Sequence, residues 1–378
     1  MAYVSYSQRG KKKLWAYTIR QGNKSLEYQS GFKTKKEAKL IAEKILHKIN
    51  TGSVIRQNMS LPELYQEWLD LKILPSNKSQ QTKDKYIMRK NIIKRLFGSK
   101  PISKIKASEY QKIMNDYGQT VSRNHLGRLN SNIRSCIKMA IADKIFIEDF
   151  TYSVELFSNK KGQDSSDKYL HTVEDYKIVM DYLVQKWDYS KSIVPYIIFF
   201  LFKTGLRYGE LVALTWDDID FNKEIISTYR RYNTSIHQFT PPKNKPSVRK
   251  IPITRELVKV FKQLKKSQAK VNKELGLINP YNLVFQHFGY QHDIPDIATV
   301  NKAMKTMLLE LDIRPLITTK GARHTFGSYL WHNDIDLGVI AKILGHKDIA
   351  MLVEVYGHTL EEKINEDCLL YTSPSPRD

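Results

Sequence analysis

The chain has 378 residues, 61 Lys plus Arg against 39 Asp plus Glu for a formal net charge of +22, and 41% apolar with 11% aromatic residues. This composition excludes a wholly disordered basic chain and is enough to bury the cores of two or three domains. The longest apolar run, Ile193 to Phe202, contains Pro195 and falls well short of the roughly 18 residues of a membrane span, and two cysteines, Cys136 and Cys368, are too few and too far apart for a disulfide framework or a zinc site.

The charge is unevenly placed. Residues 1–57 carry 13 basic and 3 acidic residues, residues 58–168 carry 20 and 12, and the remainder carries 28 and 24. No amphipathic anchor accompanies this excess, and no apolar h-region follows Arg9 and Lys11, Lys12 and Lys13. A polyanionic partner is therefore expected, DNA before anionic lipid, with no membrane association and no export. Along residues 13–32, Leu14, Ala16 and Thr18 alternate with Trp15, Tyr17 and Ile19 about a turn at Gln21-Gly22-Asn23, which predicts a small sheet. Thr34 and Glu37 then form a capping-box pattern ahead of Ala38, Ile41, Ala42, Ile45 and Leu46 at helical spacing. The result is a ββ(β)α module. With Trp15, Tyr17 and Tyr28 interleaved among Lys11, Lys12, Lys13 and Arg20, it is expected to be a DNA-reading ribbon.

Polar residues from Thr51 onward predict a linker, and helical patterns follow. One runs through Leu61, Leu64, Tyr65, Trp68, Leu69 and Leu71, and a second through Tyr86, Ile93, Leu96 and Phe97 to a stop at Gly98. A third covers residues 107–117 with Ser108 as its expected N-cap, and a fourth covers residues 121–144. On the fourth, Arg123, Arg128, Arg134 and Lys138 fall between the apolar positions, where they are expected to face phosphates. The apolar-free stretch 158–168 predicts a domain boundary. Beyond it come helices, then a strand pair at Glu224–Tyr229 and Arg249–Ile253 joined across Pro241 to Pro246, then further helices.

Four short stretches in this last part carry chemistry. Gly205-Leu206-Arg207-Tyr208-Gly209-Glu210-Leu211 places an arginine and a carboxylate three residues apart. Pro242 to Arg249 is a lysine-rich tip with Lys243 and Lys245. Lys320-Gly321-Ala322-Arg323-His324 sets two cations three apart before a histidine, and Leu344-Gly345-His346 precedes Tyr356-Gly357-His358 by about ten residues. His287, His292 and Asp293 look like turn residues, so no metal site is expected. There is no G-x-x-x-x-G-K-[ST] loop to suggest an ATPase.

In this order the stretches resemble the tyrosine recombinase (phage-type integrase) family, most closely the integrases of temperate phages and conjugative transposons. The family's signatures are an arginine in G-L-R-x-G-E-L, a lysine on a β-hairpin, an H-x-x-R-H element, an L-G-H element and a tyrosine before x-H. Lys320 stands where the family usually has histidine. The resemblance implies a fold that is mainly α with small β-sheets. Its parts would be an arm-site DNA-binding domain at 1–57, a helical core-binding (SAM-like) domain at 58–157 and a mixed, mostly helical catalytic domain at 169–367. Residues 368–378 (CLLYTSPSPRD) are expected to be an atypical, non-native tail.

The activity implied is integration and excision of a mobile element through a 3′-phosphotyrosyl intermediate, without ATP, metal or other cofactor. Tyr356 would be the nucleophile. Arg207 and Arg323 would clamp the phosphate, His346 and Lys320 would donate to it, and Glu210 would orient Arg207. Lys243 would be the general acid, with Lys245 as the alternative. The implied partners are double-stranded DNA at core and arm sites, a homotetramer on that DNA, an excisionase and a host DNA-bending protein, in a bacterial cytoplasm and on the nucleoid when bound. The competing readings are a catalytically impaired DNA-binding relative and a type IB topoisomerase-like relaxing enzyme. Since residues 1–168 hold most of the charge excess, DNA binding should weaken with salt on a log–log slope of about 0.9 per neutralised phosphate. Cleavage of DNA already bound should respond much less, and equal salt sensitivity in a titration of both would contradict this division.

Overall fold

The computed structural model describes residues 2–10, 13–50, 59–145, 147–160, 162, 166–288, 292–346 and 352. The chain is mainly α-helical with small antiparallel sheets, and it divides into two units, Met1–Gly162 and Gln163–Asp378.

The first unit opens with strands β1 (Tyr3–Arg9), β2 (Leu14–Gln21) and β3 (Lys24–Phe32), antiparallel in that order. Gln21 pairs with Lys24, which leaves a two-residue turn with Gly22 at φ +58°, a conformation glycine adopts without steric cost. Helix α1 (Lys35–Asn50) follows. Its first turn is closed by Glu37, which donates its backbone N–H to Thr34 Oγ1 at 3.2 Å and accepts from the Thr34 N–H at 3.3 Å. The small side chains of Ala38 and Ala42 pack with Tyr17 and Ile19 in a core that Trp15 also borders. Strand alternation then sends Arg20 and, across the sheet, Tyr28 to the other face, where the Arg9 guanidinium lies 5.8 Å from the Tyr28 ring centroid. The aromatics read together in the sequence are therefore separated. Trp15 and Tyr17 hold the helix, and Tyr28 is exposed on the open face.

Helices α2 (Leu61–Trp68), α3 (Gln80–Phe97), α4 (Ala107–Gly118) and α5 (Arg123–Ala142) surround a second core that includes Leu64, Tyr65, Ile93, Tyr110, Leu126, Leu129, Ile133 and Ile137. Helix α2 runs on into a π-helical turn at Leu69–Ile73. Ser108 is not an N-cap, because α4 starts at Ala107 and its N-cap is Lys106, two residues earlier. Around this second core, Ser60, whose N–H donates to Glu63 at 2.7 Å, caps α2, and Ser122, which accepts from His125 N–H, caps α5.

The second unit contains α6 (Val173–Gln185), α7 (Val194–Thr204), the single turn α8 (Tyr208–Leu211), β4 (Ile219–Asp220), β5 (Ile225–Thr228), β6 (Arg231–Asn233), β7 (Gln238–Thr240), β8 (Arg249–Pro252), α9 (Arg255–Leu275), α10 (Ile297–Glu310), α11 (Thr319–His332) and α12 (Leu337–Leu344). Helix α7 is apolar on every side and buried from Tyr196 to Phe202, with Pro195 in the first turn where its missing N–H costs nothing. It packs against α6, α10 and α11, and Phe200 stacks on Phe261 of α9 at 4.0 Å. Strands β4, β5 and β8 form one antiparallel sheet, while β6 and β7 form a separate hairpin inserted between β5 and β8. The sequence pattern shows that insertion only as a turn, since strands of three residues are too short for a period-two signal. Cys136 is buried, and among the described residues no helix is long and apolar enough to cross a membrane.

Candidate functional site

The site is built where α7 ends. Gly205 closes that helix at φ +61°, and a Cβ there would come within 2.5 Å of Leu344 and Phe326 side-chain atoms, so both its conformation and its surroundings require glycine. The chain then turns so that Arg207, in extended conformation, becomes the N-cap of α8. Its backbone N–H donates to Glu210 Oε2 at 3.2 Å and its Nη1 donates to Glu210 Oε1 at 2.7 Å and to Ser247 Oγ at 3.1 Å. Nη2 reaches the Gly345 carbonyl at 3.4 Å. The Arg207 side chain remains 32% exposed, against 4% for Glu210.

Two further arginines join it. Arg323 on α11, only 4% exposed, donates to the Gly205 carbonyl at 2.7 Å and to the Leu344 carbonyl. Arg249 on β8, its side chain 8% exposed, donates Nε to the Ile343 carbonyl at 2.7 Å, Nη1 to the Ser247 carbonyl at 3.1 Å and Nη2 to Glu210 Oε2 at 3.1 Å. The carbonyls of residues 343, 344 and 345 thus each accept from a different arginine. These are the last acceptors of α12, which helical geometry leaves without partners and at the negative end of the helix dipole. Gly345 closes α12 at φ +66°, where a Cβ would lie 2.6 Å from the Pro246 carbonyl and 2.9 Å from Arg249 Nη1.

Electrostatics follow from this packing. Burial works against ionisation of Glu210, but the charges of Arg249, Arg207 and Arg323 outweigh it and hold the carboxyl below its ordinary range. His346 follows Gly345 directly and donates its N–H to the Ala341 carbonyl at 2.9 Å. His324, buried beside Arg323, has its pKa pushed down to about 4 by burial and then by the charges of Lys320, Arg323, His346 and Lys168, and is neutral near pH 7. Lys320 is exposed in the first turn of α11 and lines a small cavity with Asp167, Lys168, Thr318 and His324. Lys243 is exposed in the loop from β7 to β8, and Lys245 opens a short 3-10 turn there. That loop is tied to the arginine cluster, because Ser247 Oγ accepts from Arg207 and donates to Asn244 Oδ1 beside Lys243.

The fold therefore brings together Arg207, Glu210, Arg323 and the Gly345-His346 turn, and links the foot of the Lys243 loop to them. Tyr356, Lys11 and Lys12 lie outside the described residues. Lys13, in the turn before β2, and Arg20 are exposed. On α5, Arg128 and Lys138 are exposed, whereas Arg134 is half-buried and donates to the Thr151 carbonyl at 2.7 Å, and Arg123 donates to the Leu156 carbonyl. The last two arginines also brace the segment after α5, each through one guanidinium nitrogen, and Arg123 remains exposed. His292 stacks on His237 at 3.4 Å while His287 donates its backbone N–H to Asp293, and among the described residues no group of three or more His, Cys, Asp or Glu side chains is placed to hold a metal ion. Arg249 is the member that sequence reasoning missed. Its signal is strand alternation, since Arg249 shares a face with the buried Ile251 and Ile253, and a cation there needs an acceptor.

Comparison with known proteins agrees with this layout. The sequence model of the phage integrase family matches residues 172–363. The chain is 26% identical to a XerC-like tyrosine recombinase of Caldanaerobacter subterraneus over 88% of each chain, and 25% identical to the integrase of Staphylococcus phage L54a over 86% of this chain and 96% of that one. Among solved structures it is similar to the Tn1549 transposon integrase in complex with transposon right end DNA, with a TM-score of 0.63 and 22% identity over 79% of this chain and 95% of that one.

The depressed His324 pKa has a consequence for stability. The unfolded chain, with an ordinary His pKa of 6.5, binds this proton more tightly than the folded one, so stability present above pH 6.5 is lost as pH falls toward about 4. The loss attributable to this group is on the order of 3 kcal/mol. Denaturant unfolding between these pH values should show a shallower acid decline for His324→Gln than for the wild type, and parallel declines would contradict the assignment.

Proposed function

The chain belongs to the phage integrase family, and we propose that it is a site-specific recombinase that cleaves and rejoins DNA through Tyr356 to integrate and excise a mobile element. The observation that carries this reading is the charge of the arginine cluster. Three guanidinium groups share one buried corner with the carboxylate of Glu210, and Arg207 keeps an open edge. One carboxylate does not balance three such cations, and a surplus of this kind in a poorly solvated corner favours an anion with several oxygens. A phosphodiester in the transition state of displacement is such an anion.

The steps divide among the residues as follows. The Tyr356 oxygen attacks the scissile phosphorus, the bond from phosphorus to the 5′-oxygen breaks, and a 3′-phosphotyrosyl link forms. Arg207 and Arg323 neutralise charge growing on the non-bridging oxygens, with His346 and Lys320 as further donors. Lys243 passes a proton to the leaving 5′-oxygen, and Lys245 is the alternative donor. Attack by a 5′-hydroxyl of the partner strand reverses these events and reseals the DNA. Because the link conserves the bond energy, the exchange requires no ATP. Lys320 can donate to phosphate as histidine would.

On this reading residues 1–57 hold arm sites, with Lys11, Lys12, Lys13 and Arg20 against the backbone. Residues 58–157 hold the core site through Arg123, Arg128, Arg134 and Lys138, and residues 169–367 carry the chemistry. The active assembly is a homotetramer on paired double-stranded sites, joined by an excisionase and a host DNA-bending protein on a bacterial nucleoid. The test is a duplex carrying the element's core site with a nick beside the cleavage position, which traps the covalent adduct. Wild type should form an adduct that Tyr356→Phe abolishes and that Arg207→Ala slows about a hundredfold. DNA binding without any adduct would favour the impaired binder, and relaxation of plasmids lacking an attachment site would favour the topoisomerase-like enzyme.

A further inference from the structure

We propose that Arg249 is a positioning residue for strand cleavage, which sets Arg207, the Lys243 loop and the His346 turn in one register without itself touching DNA. The inference rests on the integrase reading above. Arg249 bonds to a piece of three of the elements that carry reacting groups. Nη2 holds Glu210, whose other oxygen holds Arg207; Nη1 holds the Ser247 carbonyl at the foot of the Lys243 loop; and Nε holds Ile343, three residues before His346. All three of its guanidinium nitrogens already donate to protein acceptors that lie in three directions, so the side chain is placed to align those groups.

The contacts also explain the glycine at 345, since a Cβ there would sit 2.9 Å from Arg249 Nη1. The planar guanidinium fork meets three acceptors in three directions, a geometry that the single ammonium of lysine does not reproduce. If the fork is lost, Glu210 keeps only Arg207 and Arg323 as charged neighbours among the described residues that face it. Its carboxyl should then take up a proton at higher pH, and a protonated Glu210 holds Arg207 less firmly.

The experiment measures single-turnover adduct formation on the nicked core-site duplex for the full-length wild type, Arg249→Met and Arg249→Lys, with DNA affinity, melting midpoint and a pH profile for each. Arg249→Met is expected to bind the duplex as the wild type does and to cleave about a hundredfold more slowly, the cost typical of an ångström-scale misplacement. Its rate should also fall on the acid side at higher pH than the wild-type rate. Arg249→Lys, which keeps the charge, should recover the wild-type pH profile and only part of the rate. In a Glu210→Gln background the Arg249→Met effect should shrink, because the two residues act through one contact.

A merely structural role predicts a lower melting midpoint with an unchanged rate and pH profile for folded, DNA-bound protein, and that result would overturn the proposal. Should Arg249→Met fail to fold, a wild-type rate for Arg249→Lys at equal DNA loading would overturn it as well. A wild type that forms no adduct removes the integrase reading, and this inference with it, whereas a wild-type adduct with unaffected Arg249 variants removes the positioning role alone.

Discussion

The end of helix α12 is the constraint on which the site depends. A helix of eight residues finishes with carbonyls that have no partner inside it, and here the carbonyls of residues 343, 344 and 345 receive Arg249, Arg323 and Arg207 in turn. Each guanidinium gives up hydration to reach this corner, and the oxygens of Glu210, Gly205 and Ser247 replace part of it. Alignment of the arginines is thereby fixed before any substrate arrives. Electrostatic preorganisation of this kind is effective because the protein need not reorganise as charge develops.

Other features serve that corner. Helix α7 is buried on all sides and so is fixed in place by packing, and it ends on the left-handed Gly205, whose carbonyl Arg323 uses and whose missing side chain admits Leu344 and Phe326. Strand β8 pairs with β5 so that Arg249 stands opposite Thr228 and points the same way as Ile251 and Ile253. Gly345 repeats the logic of Gly205 at the far side, with a left-handed backbone and two close neighbours. The neutral state of His324 belongs to the same arrangement, since a charged imidazole beside Arg323 would add repulsion to a region already rich in cations.

The sequence makes some of this plain and conceals the rest. Arg207, Arg323 and His346 stand out because each sits in a short motif, and resemblance to a family links motifs that are far apart along the chain. The pairing of Arg207 with Glu210 follows from a spacing of three residues. Arg249 is hidden because two of its three partners are 39 and 94 residues away, distances over which no periodicity speaks. In the first unit, helical spacing identifies the face of α5 that carries Arg123 and Arg134 but not the later segment, through Thr151 and Leu156, that takes a hydrogen bond from each. Trp15 and Tyr17 mislead for a related reason. Strand alternation separates them from Leu14 and Ala16 without saying which face α1 will cover.

The central claim is that the arginines are fixed by protein carbonyls and Glu210 while leaving an edge for a single phosphate. A crystal structure of the Tyr356→Phe protein on an intact core-site duplex tests this most directly. The account predicts that Arg207 and Arg323 both donate to the same scissile phosphate, with Gly205, Leu344 and Glu210 still bonded to them and Arg249 clear of the DNA. A scissile phosphate held elsewhere, or arginines drawn away from those acceptors to reach it, would contradict it.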